Sequence, residues 1–430
     1  MKLLSLRLIL VASVFAVSVN AQQQTTLTLA QAEAIALKNN PQISVGKLSA
    51  LIAHEFVREQ RSALLPSASV SLTGVEANPG SRIAAGGLNN PVLFPRAAEG
   101  AVLSQLITDF GRSANLVSSA QYHAKAEDEN ATATRAQILL AVDHSFYGSL
   151  EAQALVKVAD QTVQARQALA DKVSALTKAK LKSDLDLSFA SVDLSRAKLL
   201  LLEARNNSES ALAELSAILG YPDLQNFQLV KETGATSATP EVDPALLIQE
   251  ALRDRPEANA MRFEEQAAEK FRRAEHDLWR PTIAALGVVG EAPARDDHIP
   301  NWYGAAGVNI QIPVFNGFLN NARAKSADFH AEISHQRLTD LQNNIARDVR
   351  IAWQDSNRAY ERLSVTRELR QEADLALELA QSRYNLGLSS IVEFSQAELQ
   401  KTEADISDTS AQYEYQLARR TLQYVTGNLK

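Results

Sequence analysis

The chain has 430 residues, with 50 acidic against 43 basic side chains, a formal net charge of −7 and no cysteine. The lack of cysteine excludes disulfides, thiolate metal sites, cysteine nucleophiles and a lipidated N-terminal cysteine. The acidic balance argues against nucleic acid as a partner.

Met1 to Ala21 reads as a secretory signal. Lys2 and Arg7 supply a basic start, Leu8 to Val17 an apolar core too short to cross a bilayer as a helix, and Val19-Asn20-Ala21 the small residues expected before cleavage. A retained N-terminal anchor is the alternative reading. Cleavage would remove two cations and leave a net charge of −9. No other stretch approaches the roughly 20 apolar residues of a membrane helix. A membrane-spanning part, if there is one, must then be a β-barrel.

Proline placement organises the rest of the chain. None occurs between Pro95 and Pro222, or after Pro313. Both regions are rich in Ala, Leu, Gln, Glu, Lys and Arg, the strong helix formers. Each predicts two long helices with a break in the middle, at Lys178 to Ser183 and at Asn385 to Ser390. A helix from Arg112 to Ala179 would run about 100 Å at 1.5 Å per residue. Ser183 and Ser390 are placed to cap the following helices, with Asp186 and Glu393 as capping-box partners. Apolar residues recur at 3, 4 and 7 (Leu212, Leu215, Leu219; Ile406, Tyr413, Leu417, Tyr424), which is coiled-coil spacing diluted by Ala, Ser and Asn.

Between the helical regions lie alternating segments. Ser67 to Val75 and Gly100 to Ile107 flank a Gly/Pro/Asn loop; Thr282 to Gly290 and Ala305 to Pro313 flank a second. In the last of these, Val308, Ile310 and Ile312 face one way and Asn309 and Gln311 the other. Such alternation over about 9–11 residues is the transmembrane-strand signature. Two hairpins give four strands, too few to close a barrel alone, since the smallest have about eight. The loops, Glu76 to Glu99 and Glu291 to Trp302, are given no role.

The whole pattern occurs twice. Ala36-Leu37-Lys38-Asn39-Asn40-Pro41 returns as Ala251-Leu252-Arg253-Asp254-Arg255-Pro256, and Arg58 and Pro66 return as Arg273 and Pro281, all at an offset of 215. Val142, Ser183, Asp186, Ala190, Leu215 and Gly220 return as Val349, Ser390, Glu393, Ala397, Leu422 and Gly427 at 207. The change places the shorter second copy at its hairpin. The chain is read as a signal at 1–21, a first copy at 22–220, a linker or equatorial junction at 221–244 in which Thr233–Pro240 is a linker by composition, and a second copy at 245–430. Symmetry breaks at the turns, where Gly387 faces Lys180, Glu393 faces Asp186 and Tyr384 faces Thr177. Those mismatches are expected where the two arms must differ.

Several parts together resemble the TolC-type outer-membrane efflux family. They are the opening Leu27-Thr28-Leu29-Ala30-Gln31-Ala32-Glu33-Ala34-Ile35-Ala36-Leu37-Lys38-Asn39-Asn40-Pro41, the hairpin entries at Pro66 and Pro281, and the exits Asp109-Phe110-Gly111 and Phe315-Asn316-Gly317. The last is Tyr384-x-x-Gly387-x-x-Ser390-x-x-Glu393 followed by Ala397. The resemblance implies a mainly α fold with β: long coiled-coil helices forming a periplasmic tunnel, and two β-hairpins contributing to a 12-stranded barrel shared by a homotrimer. It implies an outer-membrane location among lipid, and a passive exit duct coupled through a periplasmic adaptor to an inner-membrane pump. A periplasmic adaptor or coiled-coil scaffold is the other reading of long Ala-rich helices; the β segments between helices discriminate against it.

No catalytic constellation is present: no Gly-x-Ser-x-Gly, no phosphate loop, and seven histidines without HxxxH or HExxH spacing, read as surface or packing residues. No cofactor and no metal are expected. The resemblance places the functional residues at the helix breaks. Glu393, with Asp186 as its repeat mate, would line a periplasmic aperture, where three like charges around one axis repel and favour cations. A helix N-terminal carboxylate is the plainer role for each. Tyr384 matches the family's latching tyrosine, whereas Ser389 stands at the latching arginine's place and Gln396 at that of a second acid, implying a differently latched, less acidic constriction. The turns, including Lys182, Ser183, Gly387 and Ser390, would receive an adaptor. The transported substrate is not readable.

Overall fold

A computed structural model describes residues 25–81, 95–231, 243–293, 298 and 300–429. The proposed signal and all of the Thr233–Pro240 stretch therefore lie outside the described residues, as do the tip of the first loop and part of the second. The described elements repeat one order. The first copy runs α1 (Leu29–Asn39), α2 (Pro41–Ser62), β2 (Ser67–Val75), β3 (Arg96–Thr108), α3 (Arg112–Lys178) and α4 (Asp184–Ile218). The second runs α5 (Pro244–Asp254), α6 (Pro256–His276), β5 (Thr282–Glu291), β6 (Trp302–Gln311), α7 (Leu319–Asn385) and α8 (Ile391–Val425). Short strands β1 (Thr25–Leu27) and β4 (Phe227–Leu229) complete the chain.

The long helices match expectation: α3 and α7 have 67 residues each, and α4 and α8 have 35 each. Two strands shift. The first return strand starts earlier, at Arg96. The second runs Trp302–Gln311, so Ile312 and Pro313 fall outside it; a proline cannot donate to a ladder and marks its end. The junction is also more than a linker, because β4 pairs in parallel with β1, Thr25 opposite Phe227 and Leu27 opposite Leu229.

The four long strands form one antiparallel sheet in the order β2-β3-β5-β6. Register assigns its faces. Val70 lies opposite Ala101, which lies opposite Val289 and then Gly304. Alternation puts Ala68, Leu72, Leu103, Ile283, Val308 and Ile310 on that same mainly apolar face, together with Glu99, Gln105 and Glu291. Ser67, Ser69, Ser71, Thr73, Ser104, Asn309 and Gln311 share the other. Both β2 and β6 are edges, and Val70, Leu72, Val308 and Ile310 are exposed.

Below the sheet, α2, α3, α6 and α7 pack side by side in that order. Histidines stitch this slab, each to a carboxylate on the neighbouring helix: His54–Asp128 at 3.1 Å, His123–Glu264 at 2.6 Å, His276–Asp328 at 2.9 Å and His335–Glu265 at 2.7 Å. Further down, α3 pairs with α4 and α7 with α8, and α3 contacts α8. Each copy has a core at its joint. Ala36 and Ala251, and likewise Val142 and Val349, are wholly buried at matching positions. The first joint gathers Leu27, Ile43, Phe146, Leu215, Leu219 and Phe227. The duplication thus reproduces packing as well as sequence.

A buried charge group ties the first joint to α8. Asp143 of α3 is wholly buried; the Arg420 Nε of α8 lies 2.8 Å from its Oδ2 and the Nη2 donates to its Oδ1 at 3.2 Å. Arg420 also pairs with Glu33 of α1. Burial, followed by the neighbouring Glu33 charge, pushes the Asp143 carboxyl up to about 7 against the opposing pull of Arg420.

The joint also needs Gly220. It follows α4 with φ +83°, donating to the Ala217 carbonyl at 3.0 Å while Tyr221 donates to the Ser216 carbonyl at 2.9 Å. This is a Schellman ending. A Cβ on Gly220 would lie 2.8 Å from the Asn39 carbonyl oxygen at the end of α1. Gly220→Ala is therefore expected to destabilise by at least about 1–2 kcal/mol from the left-handed backbone alone, with the clash in addition. A thermal midpoint no lower than that of the unsubstituted protein would refute this account of the joint.

Candidate functional site at the helix-break end

Both helix breaks close with the same backbone device. After α3, Lys180 donates to the Thr177 carbonyl at 2.9 Å and Leu181 to the Leu176 carbonyl at 2.8 Å. After α7, Gly387 donates to the Tyr384 carbonyl at 3.1 Å and Leu388 to the Arg383 carbonyl at 2.9 Å. Lys180 (φ 62°) and Gly387 (φ 72°) are both left-handed. The Lys180/Gly387 mismatch is thus one of chemistry, not of turn shape. Copy one holds a lysine where glycine is unstrained. Lys180→Gly should raise stability by up to about 1 kcal/mol and Gly387→Ala lower it by about as much, read as opposite shifts in the local exchange rates of these turns.

The next helices start differently. Ser183 forms the complete capping box with Asp186: its Oγ accepts from the Asp186 amide, and an Asp186 carboxylate oxygen accepts from the Ser183 amide at 3.1 Å. Ser390 caps α8 by accepting from the Glu393 amide at 3.4 Å, but the Glu393 carboxylate does not return to close the box. It accepts instead from Arg383 Nε at 2.9 Å. Both partners are about half exposed, so the pair contributes on the order of 0–1 kcal/mol and leaves Glu393 within reach of water and ions.

Tyr384 is the centre of the site. It is buried, stacked on Phe394 of α8 with ring centroids 5.5 Å apart and planes 9° from parallel. Lys182, from the turn of the other arm, places Nζ 4.2 Å from the centre of the same ring, a cation–π contact of on the order of 0.5–2 kcal/mol. Burial, and then the nearby Asp186 charge, raise the Tyr384 hydroxyl's pKa above its ordinary value. Its hydroxyl and the Ser389 Oγ are buried with no hydrogen-bond partner among the described residues. Tyr384, Phe394 and Ile391 pack with Leu169 and Val173 of α3 and Ala190 of α4. Aromatic and aliphatic burial here clasps all four lower helices of one chain.

Polar contacts reinforce that clasp. Lys172 donates to Asn385 at 2.7 Å, and Ser395 to Asp193 at 2.6 Å. Arg166 of α3 forms an ion pair with Glu398 of α8, both buried. Burial lowers the Arg166 pKa, opposed by Asp193. Sequence reasoning misses these pairs, because each joins residues on different arms and none has a local spacing to betray it. Of the expected residues, the structure brings Tyr384, Lys182 and Asp186 together. It sets Gln396 apart, exposed in a groove of about 370 Å³ with Phe189, Asp193 and Arg196.

The model of the family described as outer membrane efflux protein matches residues 21–221 and again 247–428. The chain belongs to that family. A curated relative, the outer membrane protein TolC of Salmonella enteritidis, is 22% identical over 430 residues, covering 94% of this chain and 83% of the relative. Two solved structures share the fold. The CmeC outer membrane channel of Campylobacter jejuni superposes with a TM-score of 0.82 at 17% identity, covering 93% of this chain and 85% of that one. The outer membrane protein VceC of Vibrio cholerae gives 0.81 at 17%, covering 93% and 96%. As a member of the outer membrane efflux family the chain is an outer-membrane exit channel, with the family's mainly helical fold and paired β-hairpins, and not an adaptor. No described helix is long and apolar enough to cross a membrane.

Proposed function

We propose that three copies of this chain form a single duct, with the sheet as one third of a 12-stranded barrel in outer-membrane lipid and the helices as a tunnel in the periplasm. The observation that carries this is the four-stranded sheet with two open edges and one mainly apolar face. In lipid an open edge leaves backbone groups unsatisfied at several kcal/mol each, so β6 must meet β2 of the next copy. The helical slab supports the same head-to-tail closure. Its α2 edge exposes Val45, Leu48, Ile52 and Phe56 at 3 and 4 spacing, and its α7 edge exposes Phe329 and Ile333. Below, α4 exposes Leu185, Phe189, Val192, Leu199 and Leu202 at heptad spacing. A heterologous contact of this kind closes into a ring when the rotation between copies is one third of a turn. The two-copy division at 22–220 and 245–430, joined through 221–244, then gives six similar arms around the axis. Recovery of the purified protein as a monomer in detergent, rather than as a heat-dissociable trimer, would overturn the assembly.

The lower ends of those arms form the closing constriction in this reading. Glu393 lines it, with Asp186 in a lesser part, and Tyr384 is the latch, held by Phe394 and Lys182 with Ser389 behind it. Gln396, in the neighbouring groove, lies beside the latch rather than in it. A periplasmic adaptor docks on the turns carrying Lys182, Ser183, Gly387 and Ser390, and an inner-membrane pump supplies the energy. Glu393→Ala is expected to lower cation selectivity in planar-bilayer recordings by severalfold, because removing three carboxylates from a narrow pore weakens its field. Unchanged selectivity would sink the assignment of Glu393.

A further inference from the structure

The seam between the two copies, where α3 meets α6, holds one cluster the duct does not use. His123 and Glu127 lie one helical turn apart on α3, and Glu264 faces them from α6. One ligand-type atom from each, a ring nitrogen and two carboxylate oxygens, lie within 4.8 Å of one another, and all three side chains are half-buried. The His123 Nδ1 is already 2.6 Å from the Glu264 Oε1. Among the described residues neither carboxylate pairs with a lysine or arginine. Glu127 accepts only from the neutral Asn130 amide, at 3.1 Å, and Glu264 only from His123. Three other acids of the slab are neutralised by arginine: Glu269 by Arg272 and Arg273, Glu275 by Arg323 and Asp277 by Arg280. Lys125, on the same turn as the cluster, is held over the Tyr122 ring at 5.1 Å.

We propose that His123, Glu127 and Glu264 form a site for a borderline divalent cation, Zn(II) fitting best, that bridges the two copies within one chain. One imidazole and two carboxylates match the N/O donor set such ions take. Two ligands at i and i+4 share a helix face, and the third supplies the cross-helix bridge. Bond lengths near 2.0–2.2 Å set tetrahedral ligand atoms roughly 3.3–3.6 Å apart, so on binding the His123–Glu264 pair, now at 2.6 Å, opens and the wider separations, up to 4.8 Å, close through side-chain rotation. Half-burial leaves a further position for water. On binding, the imidazole coordinates through neutral Nδ1, and any proton there passes to solvent. The site is not duplicated. At the matching positions on α7 and α2, the two edges of the slab, stand His330, Ser334 and Ser49, a histidine without either carboxylate. A trimer would therefore hold three ions, not six.

The test uses the full-length protein, tag-free, in detergent, titrated with Zn(II) by calorimetry and with Co(II) by its visible absorption. One ion per chain is expected, with imidazole-perturbed Co(II) bands. His123→Ala and Glu264→Gln should each weaken Zn(II) binding at least tenfold, and Glu127→Gln, on a half-exposed side chain that leaves the fold undisturbed, should do the same. His330→Asn should bind as the parent does. Undiminished binding in the Glu127→Gln and Glu264→Gln proteins, no binding by the parent, or equal loss in His330→Asn would each overturn the proposal.

Discussion

Arg420→Ala is expected to cost up to about 3–5 kcal/mol of stability at pH 8, above the Asp143 pKa of about 7, the magnitude seen when one partner of a buried ion pair is removed. Arg420 is the cation that faces the wholly buried Asp143, and it also pairs with Glu33. Without it two carboxylates share the joint of α1, α3 and α8 with no positive charge between them. Adding Asp143→Asn to Arg420→Ala should return most of the loss, because the neutral amide leaves no buried charge. A double variant no more stable than Arg420→Ala would show that Arg420 acts through packing instead. The same carboxylate fixes a pH dependence. Its pKa is raised in the folded chain from 3.8 to about 7. Between those values the unfolded chain has released the proton and the folded chain still holds it. Stability from this group is thus fully present below about pH 4 and is lost as pH rises through 7, with a slope of at most about 1.4 kcal/mol per pH unit. Asp143→Asn should abolish that slope in denaturant titrations run from pH 4 to 8.

Glu398→Ala is the second large effect, and its consequence is local. It leaves the Arg166 guanidinium buried on α3 with its partner on α8 gone, again about 3–5 kcal/mol. The lower arms have a core separate from the joints, so the loss should appear as opening of the arms and not as global unfolding. Amide exchange in the lower halves of α4 and α8 should rise by about a hundredfold, the factor that corresponds to about 3 kcal/mol, while exchange in the joint stays unchanged. Single-channel conductance should rise with it if these ends are the constriction. A paired Arg166→Met, Glu398→Leu replacement should be neutral or stabilising and restore protection. Uniform exchange changes along the chain would contradict a separate clasp.

The sequence made the large architecture legible because it follows from local rules. Proline-free, glycine-poor runs can only be long helices here, and alternation with turn-rich loops marks the strands. The internal repeat gave the order of elements, and Ser183 with Asp186 announced its own cap. What stayed hidden depends on contacts between distant parts. Arg420 and Asp143 are 277 positions apart, and neither carries a periodic signal. His123 and Glu264 are 141 apart. The β1–β4 pairing joins two three-residue strands too short to announce themselves. Glu393 shows the limit of local rules: Ser390 and Glu393 have capping-box spacing, yet Arg383, ten residues back across the turn, takes the carboxylate. At Lys180 the sequence showed a mismatch with Gly387, whereas the backbone is the same in both.

The 35 residues of α8 reach from the joint to the turn, about 50 Å at 1.5 Å per residue. A stiff rod of that length is a lever. A rotation of only about 2° at the joint would sweep the Glu393 end through nearly 2 Å by that same length, enough to part an ion pair now at 2.9 Å. The Tyr384–Phe394 stack and the Arg166–Glu398 pair therefore stand where leverage is greatest. A force too small to disturb the joint's packing would still be felt there in full.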